Sequence, residues 1–265
     1  MRLIFITGTD TGVGKTLLTA LLLSHLRQTG CRALALKPFC SGTRADAELL
    51  HALQAGDLSL DEINPFYFSE PVAPLVAARK HRRKISLQEV LLHIQSIASS
   101  ISPSIHHSIT PSLHHPTLLI EGSGGLLVPL GENYSVLDLI VALECETIVV
   151  ARNRLGTINH TMLTFRALEH ALAASRKAPF SRQNQARTQR GPLSAHASPP
   201  APQHLRFVLM DSDQPDHSAT ANRKILSQFL APFSVHALPF LGANCMTPPL
   251  IKGCAARLRH TLALL

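Results

Sequence analysis

The stretch that decides the fold is Gly8-Thr9-Asp10-Thr11-Gly12-Val13-Gly14-Lys15-Thr16, which directly follows the apolar run Leu3 to Ile6. An apolar strand, a glycine-rich turn, a lysine and a hydroxyl in this order are typical of a phosphate-binding loop. Backbone N–H groups of such a loop converge on an anion at the start of a helix, where the helix dipole also favours negative charge. Five residues separate Gly8 from Gly14 where the common pattern has four, so the motif belongs to a subclass.

The residues after the loop support this interpretation over an incidental glycine-rich turn. Apolar residues recur at helical spacing after Lys15, and Gly30 is placed to end the helix. They are Leu18, Leu21, Leu22 and Leu26. We therefore expect the chain to bind a nucleoside triphosphate, with Lys15 on the phosphates and Thr16 on Mg²⁺.

Length and composition fit one large α/β domain over residues 1–265, with 45% apolar residues for its core. No apolar run approaches the roughly 18 residues that a membrane span needs. The chain begins with a predicted core strand, which leaves no room for a secretory signal, so we expect a cytoplasmic protein. Five scattered cysteines lack metal or redox spacing and are expected to be free thiols; Cys40 as a reactive thiol is the alternative.

The formal net charge of +8 raises the question of nucleic acid, but the basic residues are concentrated in two segments. One runs from Ser175 to Arg206 without an acidic residue, and the other covers residues 79–84. Neither has interleaved aromatic residues for base stacking. We favour solvated basic surface over a binding site, and expect neither a nucleic-acid nor a membrane partner.

Two segments, residues 99–116 and 175–204, interrupt the pattern of strands and helices and are predicted to be low-complexity or flexible insertions. The first contains two histidine pairs, His106-His107 and His114-His115. A metal site there is conceivable, but compositional bias alone does not hold a ligand geometry, so we favour a surface loop.

Mostly continuous apolar runs predict strands that are buried on both faces, with helical patterns between them. This arrangement is typical of a doubly wound, mainly parallel sheet flanked by helices on both faces. Ligands bind such sheets beyond the carboxyl ends of the strands. The predicted strands are Leu3 to Ile6, Ala33 to Leu36, Thr117 to Ile120, Thr147 to Ala151, Phe207 to Met210 and Val235 to Leu238.

Charged residues end two of these strands. Lys37 follows the second strand, ahead of Ser41, where a lysine can reach phosphates; a lysine that merely caps a strand end is the alternative. Glu121 ends the third strand, where phosphate-binding-loop proteins place a carboxylate near Mg²⁺. With Thr16 and Asp46 it would supply three hard oxygen ligands to that ion.

Taken together, four motifs resemble the dethiobiotin synthetase family. The first two are the long phosphate-binding loop and Lys37-Pro38 with Ser41-Gly42. The others are residues 121–125 (Glu-Gly-Ser-Gly-Gly) with Pro129-Leu130 behind them, and residues 155–160 (Leu-Gly-Thr-Ile-Asn-His). The resemblance covers most of the chain outside the two insertions.

The resemblance implies an ATP- and Mg²⁺-dependent ligase of biotin synthesis that carboxylates 7,8-diaminononanoate with CO₂ and closes a cyclic urea, through a carbamate and a carbamic-phosphoric anhydride. Its catalytic residues would be Lys37, Lys15 and Thr11. Those binding ATP or Mg²⁺ would be Gly12, Val13, Gly14, Lys15, Thr16, Leu17, Asp46, Glu121, Gly122, Ser123, Gly124, Pro239, Phe240 and Leu241. Substrate would contact Ser41, Thr11, Gly156, Thr157, Ile158 and Asn159.

The family also implies a homodimer, with the substrate carboxylate bound at a helix N-terminus across the interface, here opened by Gly156 to Asn159. The neighbouring Arg152 and Arg154 have two open interpretations: they are surface charges, or they attract the substrate carboxylate to this helix. Met210 stands where the family has an asparagine that reads adenine. Because methionine cannot make paired hydrogen bonds, weakened selectivity for adenine is our hypothesis.

Two rival classes remain. A partitioning or positioning ATPase switch would bind DNA or membrane and would give the basic charge a purpose. That class carries an extra lysine early in the loop, however, and Asp10 stands there in this chain. An amidotransferase-linked cobalamin synthase is a weaker rival, because the chain is short for an added glutaminase domain.

Overall fold

A six-stranded parallel sheet forms the centre of the computed structural model, which describes residues 1–101, 115–177 and 205–265. The strands in these ranges are β1 (Arg2–Gly8), β2 (Ala33–Leu36), β3 (Phe39–Ser41), β4 (Phe66–Phe68), β5 (Thr117–Glu121), β6 (Pro129–Gly131), β7 (Tyr134–Ser135), β8 (Glu146–Arg152), β9 (Leu205–Met210) and β10 (Ser234–Leu238). The central sheet has the spatial order β10-β9-β8-β1-β5-β2. Its six strands are the six that the sequence predicts, and the predicted fold class is confirmed.

Helices cover the sheet in two groups. The helices in the described ranges are α1 (Lys15–Gln28), α2 (Ala45–Leu53), α3 (Leu60–Ile63), α4 (Pro74–Lys80), α5 (Leu87–Ile101), α6 (Val136–Leu143), α7 (Thr157–Lys177), α8 (Ala219–Phe229), α9 (Pro248–Arg257) and α10 (Arg259–Leu262). Helix α1 packs with α2, α9 and α10, whereas α5, α6 and α7 contact one another in turn. Every residue of β5 is buried, as expected for a strand covered on both faces.

The start and end of α1 follow from its sequence. Gly14 precedes the helix with a φ of 103°, and Gly30 has a φ of 80° just beyond its end. Both values lie in the left-handed region that glycine adopts without a Cβ penalty. Between them, Leu18 and Leu21 are fully buried against the sheet. The predicted helix is therefore confirmed.

Two small sheets were not predicted. Strand β3 pairs in parallel with β4, and β6 pairs with β7 as an antiparallel hairpin. Stacked rings of Phe39 and Phe66, with centroids 4.9 Å apart, join the first pair. This contact joins the segment after Lys37 to the segment after α3.

Several predictions lie outside the described residues. They concern residues 102–114 and 178–204, including His106, His107 and His114, and the single-domain assignment also stays a prediction. All five cysteines are buried free thiols. Burial raises the pKa of Cys40 to about 11, which disfavours a reactive thiolate there. In the parts of the chain that the structure describes, no helix has the length and apolar character of a membrane span.

Candidate active site at the carboxyl ends of the strands

The phosphate-binding loop leaves β1 at the centre of the sheet. The Thr9 N–H still donates to the Val150 carbonyl at 2.9 Å, and the chain then turns through Gly12 and Gly14 into α1. Gly12 has a φ of 68°, so both glycines of the turn are in the left-handed region. The loop therefore has the backbone that the sequence predicts for an anion site at a helix N-terminus.

Lys15 is buried beneath this loop, with 6% of its surface exposed. Its ammonium donates to the Asp10 carbonyl at 2.9 Å. Burial, and after it the like charge of Lys37, lowers the pKa of Lys15 to about 8. Two neighbouring ammonium groups at one point of the sheet edge make a strong attractor for a multiply charged anion.

Lys37 forms the centre of a cluster of charged groups. Its ammonium is ion-paired with the carboxylate of Glu121 and lies 3.2 Å from the Asp46 carboxylate, and it also donates to the Gly122 carbonyl at 3.4 Å. Burial alone would lower the pKa of Lys37, but attraction to Glu121 and Asp46 outweighs it and raises that pKa. Lys37 therefore carries its charge at any physiological pH.

Glu121 connects the cluster to the phosphate-binding loop. Thr16 Oγ1 donates to Glu121 Oε1 at 2.7 Å, so the hydroxyl of the loop and the carboxylate of β5 are neighbours. Glu121 is 1% exposed, and its Oε2 is buried without a hydrogen-bond partner among the described residues. An unpartnered carboxylate oxygen beside a hydroxyl and a second carboxylate fits Mg²⁺, which prefers hard oxygen ligands. In the described ranges no group of three His, Cys, Asp or Glu side chains is placed to hold a metal ion.

The glycines after β5 allow close approach to the loop. A Cβ at Gly122 would lie 2.9 Å from Phe5 Cε1, and one at Gly125 would lie 3.3 Å from the Thr9 carbonyl oxygen. Gly124 has a φ of 65°, and its Cβ position is 3.5 Å from Thr11 Oγ1. Ser123 donates to the Phe39 carbonyl at 2.7 Å, so its hydroxyl ties this turn to β3.

The residues predicted to bind the substrate have differing environments. Ser41 Oγ and Thr157 Oγ1 are buried without hydrogen-bond partners in the described ranges. Gly156 has a φ of 92° immediately before α7 begins at Thr157. Ile158 packs partly buried against the core, whereas Asn159 is exposed. The expected helix start at this position is thereby confirmed.

A groove of about 430 Å³ runs from the phosphate-binding loop to α7. Thr9, Asp10 and Thr11 line one end, and the loop after Gly125 and the face of α7 line the sides. Leu127 and Leu163 on these sides are 66% and 62% exposed. The groove thus combines a polar end with apolar walls.

The residues predicted to contact the nucleotide base follow β9 and β10. These strands and the pair β2 and β5 lie on opposite sides of β1. Met210 ends β9, and its Cγ would lie 3.0 Å from a Cβ built on Gly14, so this side chain packs against the phosphate-binding loop. Pro239 and Phe240 follow β10 and are exposed, while Leu17 and Leu241 are partly buried against the core. The loop is therefore flanked by the lysine and carboxylate cluster on one side and by an apolar surface on the other.

One contact at this site was not anticipated. Arg152, at the end of β8, donates from Nε and Nη2 to the Gly12 carbonyl at 3.0 and 2.8 Å. This hydrogen bond was not part of either interpretation of Arg152, and surface charge and carboxylate steering both stay predictions. The neighbour relation of β1 and β8, in which Gly8 pairs with Val150, would have placed Arg152 beside the loop.

A parallel sheet with a glycine-rich loop entering a helix, a buried lysine and a strand-end carboxylate defines a phosphate-binding-loop α/β protein. Comparison with known proteins agrees, since residues 2–205 match the family model described as "AAA domain".

Family membership is shown by curated relatives named ATP-dependent dethiobiotin synthetase BioD. The protein from Anaeromyxobacter sp. (strain Fw109-5) is 42% identical over 172 residues, covering 63% of this chain and 71% of that protein. The one from Bacillus subtilis (strain 168) is 39% identical over 174 residues, covering 64% of this chain and 69% of that protein. The chain therefore belongs to the dethiobiotin synthetase family. Among solved structures, the MinC:MinD cell division protein complex of Aquifex aeolicus aligns over 98% of this chain and 96% of that chain, with 11% identity and a TM-score of 0.44. That similarity supports no conclusion about this chain.

Proposed function

We propose that this chain is an ATP- and Mg²⁺-dependent ligase that carboxylates 7,8-diaminononanoate with CO₂ and closes the cyclic urea of dethiobiotin, a step of biotin synthesis. The observation that carries the proposal is the buried contact of Lys37 with Glu121, which in turn binds Thr16 of the phosphate-binding loop. Such a cluster, in a chain of this family, supports chemistry at the terminal phosphate of a nucleotide.

The proposed reaction has three steps. A substrate amine attacks the carbon of CO₂ and loses a proton, giving a carbamate. A carbamate oxygen attacks the γ-phosphorus, the bond to the bridging oxygen breaks, and ADP leaves with a carbamic-phosphoric anhydride formed. The second amine then attacks the carbamoyl carbon, and the bond from that carbon to the phosphate oxygen breaks. The amine nitrogen loses a proton to the leaving phosphate as the ring closes.

Each step develops or moves negative charge, and the two lysines are placed to stabilise it. Lys15, under the loop, is assigned to the β- and γ-phosphates. Lys37, at the end of β2, is assigned to the carbamate oxygens, with Thr11 and the free hydroxyl of Ser41 orienting the substrate. Because the groups are fixed by strands and buried, catalysis would come from positioning and electrostatics.

The metal would be held by Thr16, Asp46 and Glu121. When bound, Mg²⁺ supplies positive charge beside the phosphate oxygens. Gly12 to Leu17 would surround the phosphates, and Gly122 to Gly124 would let the chain after β5 approach them. Pro239, Phe240 and Leu241 would form the base side.

The distal carboxylate of the substrate is assigned to the start of α7, at Gly156 to Asn159. The unpartnered hydroxyl of Thr157 and the N–H groups of the first turn support this assignment. A homodimer, in which this helix serves the partner's site, is part of the proposal. The exposed leucines Leu127, Leu155 and Leu163 support it, because exposed apolar residues concentrated near one groove are typical of an interface. A cytoplasmic location stays a prediction.

The test is release of phosphate from ATP with and without diaminononanoate and bicarbonate. Release that requires both supports the ligase. Hydrolysis that is independent of both, and is stimulated by DNA or lipid vesicles, would replace it with the ATPase switch.

A further inference from the structure

Arg152 makes a two-donor hydrogen bond to the phosphate-binding loop. Its Nε and Nη2 lie 3.0 and 2.8 Å from the Gly12 carbonyl oxygen. The two residues are 140 positions apart and meet because β8 is the neighbour of β1. Hydrogen bonds from a guanidinium are charge-assisted and stronger than those between neutral groups.

The guanidinium of Arg152 lies close to the Cα of Gly12. A Cβ at this position would lie 2.9 Å from Arg152 Nη2, and the φ of 68° already disfavours any other residue. The φ value accounts for glycine at this position, and the short distance shows how closely the guanidinium approaches the loop backbone. The sequence explains the residue only through the turn, whereas the structure adds a close approach of a side chain.

The direction of the Gly12 carbonyl matters to an anion. A phosphate is held by successive N–H groups that point inward, so the carbonyls between them must point away from it. A carbonyl that rotated inward would place its negative end against the phosphate. Two donors on the Gly12 oxygen restrain rotation of that peptide, which also carries the N–H of Val13.

Arg152 is itself held in place. It pairs with Met210 in the register of β8 and β9, and the next residue, Asn153, donates from its backbone to the Met210 carbonyl at 2.9 Å. The Asn153 side chain donates to Asp211 Oδ1 at 2.7 Å. In the described ranges Arg152 has no carboxylate partner, so its guanidinium is not bound to a competing group.

We propose that Arg152 is a positioning residue for the nucleotide, which presets the phosphate-binding loop by fixing the Gly12 carbonyl. The inference rests on the proposed function only in assigning the loop to a nucleoside triphosphate. Arg152 acts through the loop backbone and need not touch the nucleotide.

The experiment measures the affinity of a non-hydrolysable ATP analogue with Mg²⁺, by calorimetry, for wild type and three variants. Arg152→Gln removes both the charge and the fork of donors, Arg152→Lys keeps the charge with a single donor group, and Arg154→Gln removes the same charge two residues away. Binding without turnover separates this test from the test of the ligase reaction.

We expect Arg152→Gln to bind the analogue about tenfold more weakly, Arg152→Lys to fall between it and wild type, and Arg154→Gln to stay within about twofold of wild type. The melting temperature without nucleotide should be unchanged, because the Gly12 carbonyl can accept a hydrogen bond from water when the arginine is absent. Equal losses in Arg152→Gln and Arg154→Gln would show a general charge effect and overturn the proposal. Unchanged affinity in Arg152→Gln would also overturn it. A wild-type protein that fails to bind the analogue would instead contradict the assignment of the loop.

Discussion

Lys37 and Glu121 occupy matching positions at the ends of neighbouring parallel strands, and their side chains form an ion pair that is 7% and 0% exposed. Leu36 and Ile120 are partners in the register of β2 and β5, so the next residue of each strand lies beside the other. The proposed catalytic ammonium and the proposed metal ligand are therefore placed by the sheet itself.

Replacing Lys37 should separate catalysis from nucleotide binding. For Lys37→Ala we expect kcat to fall by about 10² to 10³, the size found for one electrostatic donor to a developing charge, with a much smaller change in nucleotide affinity. Steady-state kinetics and analogue binding, both at saturating Mg²⁺, measure the two quantities. Equal loss in both would assign Lys37 to ATP binding.

Glu121→Gln should weaken metal binding. The substitution keeps the shape but removes the charge that faces Thr16 and Lys37. We expect the affinity for Mn²⁺ in the presence of nucleotide, measured by electron paramagnetic resonance, to fall at least about tenfold, the effect of losing even a supporting group at a metal site. Glu132→Gln is the control, since Glu132 pairs with Arg79 on the surface. Unchanged Mn²⁺ affinity in Glu121→Gln would remove this residue from the metal site.

The opposite end of the sheet should show a pH-dependent contribution to stability. Burial alone would raise the pKa of Glu146, but hydrogen bonds from Arg2 and Arg206 outweigh it and lower that pKa in the folded protein. A lowered pKa gives stability that is present above the carboxyl's unfolded value, about 4.5, and is lost as the pH falls through the lower folded value. As the pH falls from 7 to below that folded value, wild type should therefore lose more free energy of unfolding than Glu146→Gln does.

Urea unfolding at several pH values measures this difference. At pH 7 the variant should be less stable by roughly 1–3 kcal/mol, the usual cost of losing hydrogen bonds to a charged group. The exposed Glu48 provides a control, since Glu48→Gln should keep the pH dependence of wild type. Parallel stability curves for wild type and Glu146→Gln would contradict the prediction.

Met210 should lower the selectivity of the enzyme for ATP over other nucleoside triphosphates. Its side chain packs on Gly14 and offers no hydrogen-bond donor to a base, so we expect comparable turnover with ATP, GTP and CTP. Met210→Asn should then favour ATP over the other two. Strict use of ATP by the wild-type protein would refute the hypothesis of weakened adenine selectivity.

The exposed leucine of α7 should hold the proposed dimer together. Leu163→Glu places a charge in a surface that is proposed to be buried between two copies, and we expect sedimentation velocity to show a monomer. Leu92→Glu is the matched control, because Leu92 is a similarly exposed leucine, 51% accessible, on α5. A Leu163→Glu protein that sediments like wild type would exclude this face as the interface.

Much of this fold could be predicted from local sequence. Each of the six central strands is a mostly continuous apolar run, which predicts a buried strand without knowledge of the rest of the fold. The pairing of β3 with β4 could not be predicted, because each has three residues and their hydrogen bonds join segments that two helices separate. Short strands of this kind depend on tertiary contacts such as the stacking of Phe39 on Phe66.

The site was predictable to a similar degree. Lys15, Lys37 and Glu121 each follow a predicted strand, and the rule that ligands bind at the carboxyl ends brings them together. The contact of Arg152 could not be predicted in this way, because an exposed arginine has many possible hydrogen-bond partners. The order of the strands is needed to identify Gly12 as its partner. Ser123 belongs to a motif predicted to bind the nucleotide, and the sequence did not predict that its hydroxyl donates to the Phe39 carbonyl.

The most direct test of the central claim follows ¹³C from bicarbonate into product by mass spectrometry, with ATP, Mg²⁺ and diaminononanoate present. We expect wild type to form dethiobiotin that carries the label in its ring carbonyl, with one phosphate released per ring, and Lys37→Ala to form much less of it. ATP hydrolysis without labelled dethiobiotin, or equal product from Lys37→Ala, would contradict it.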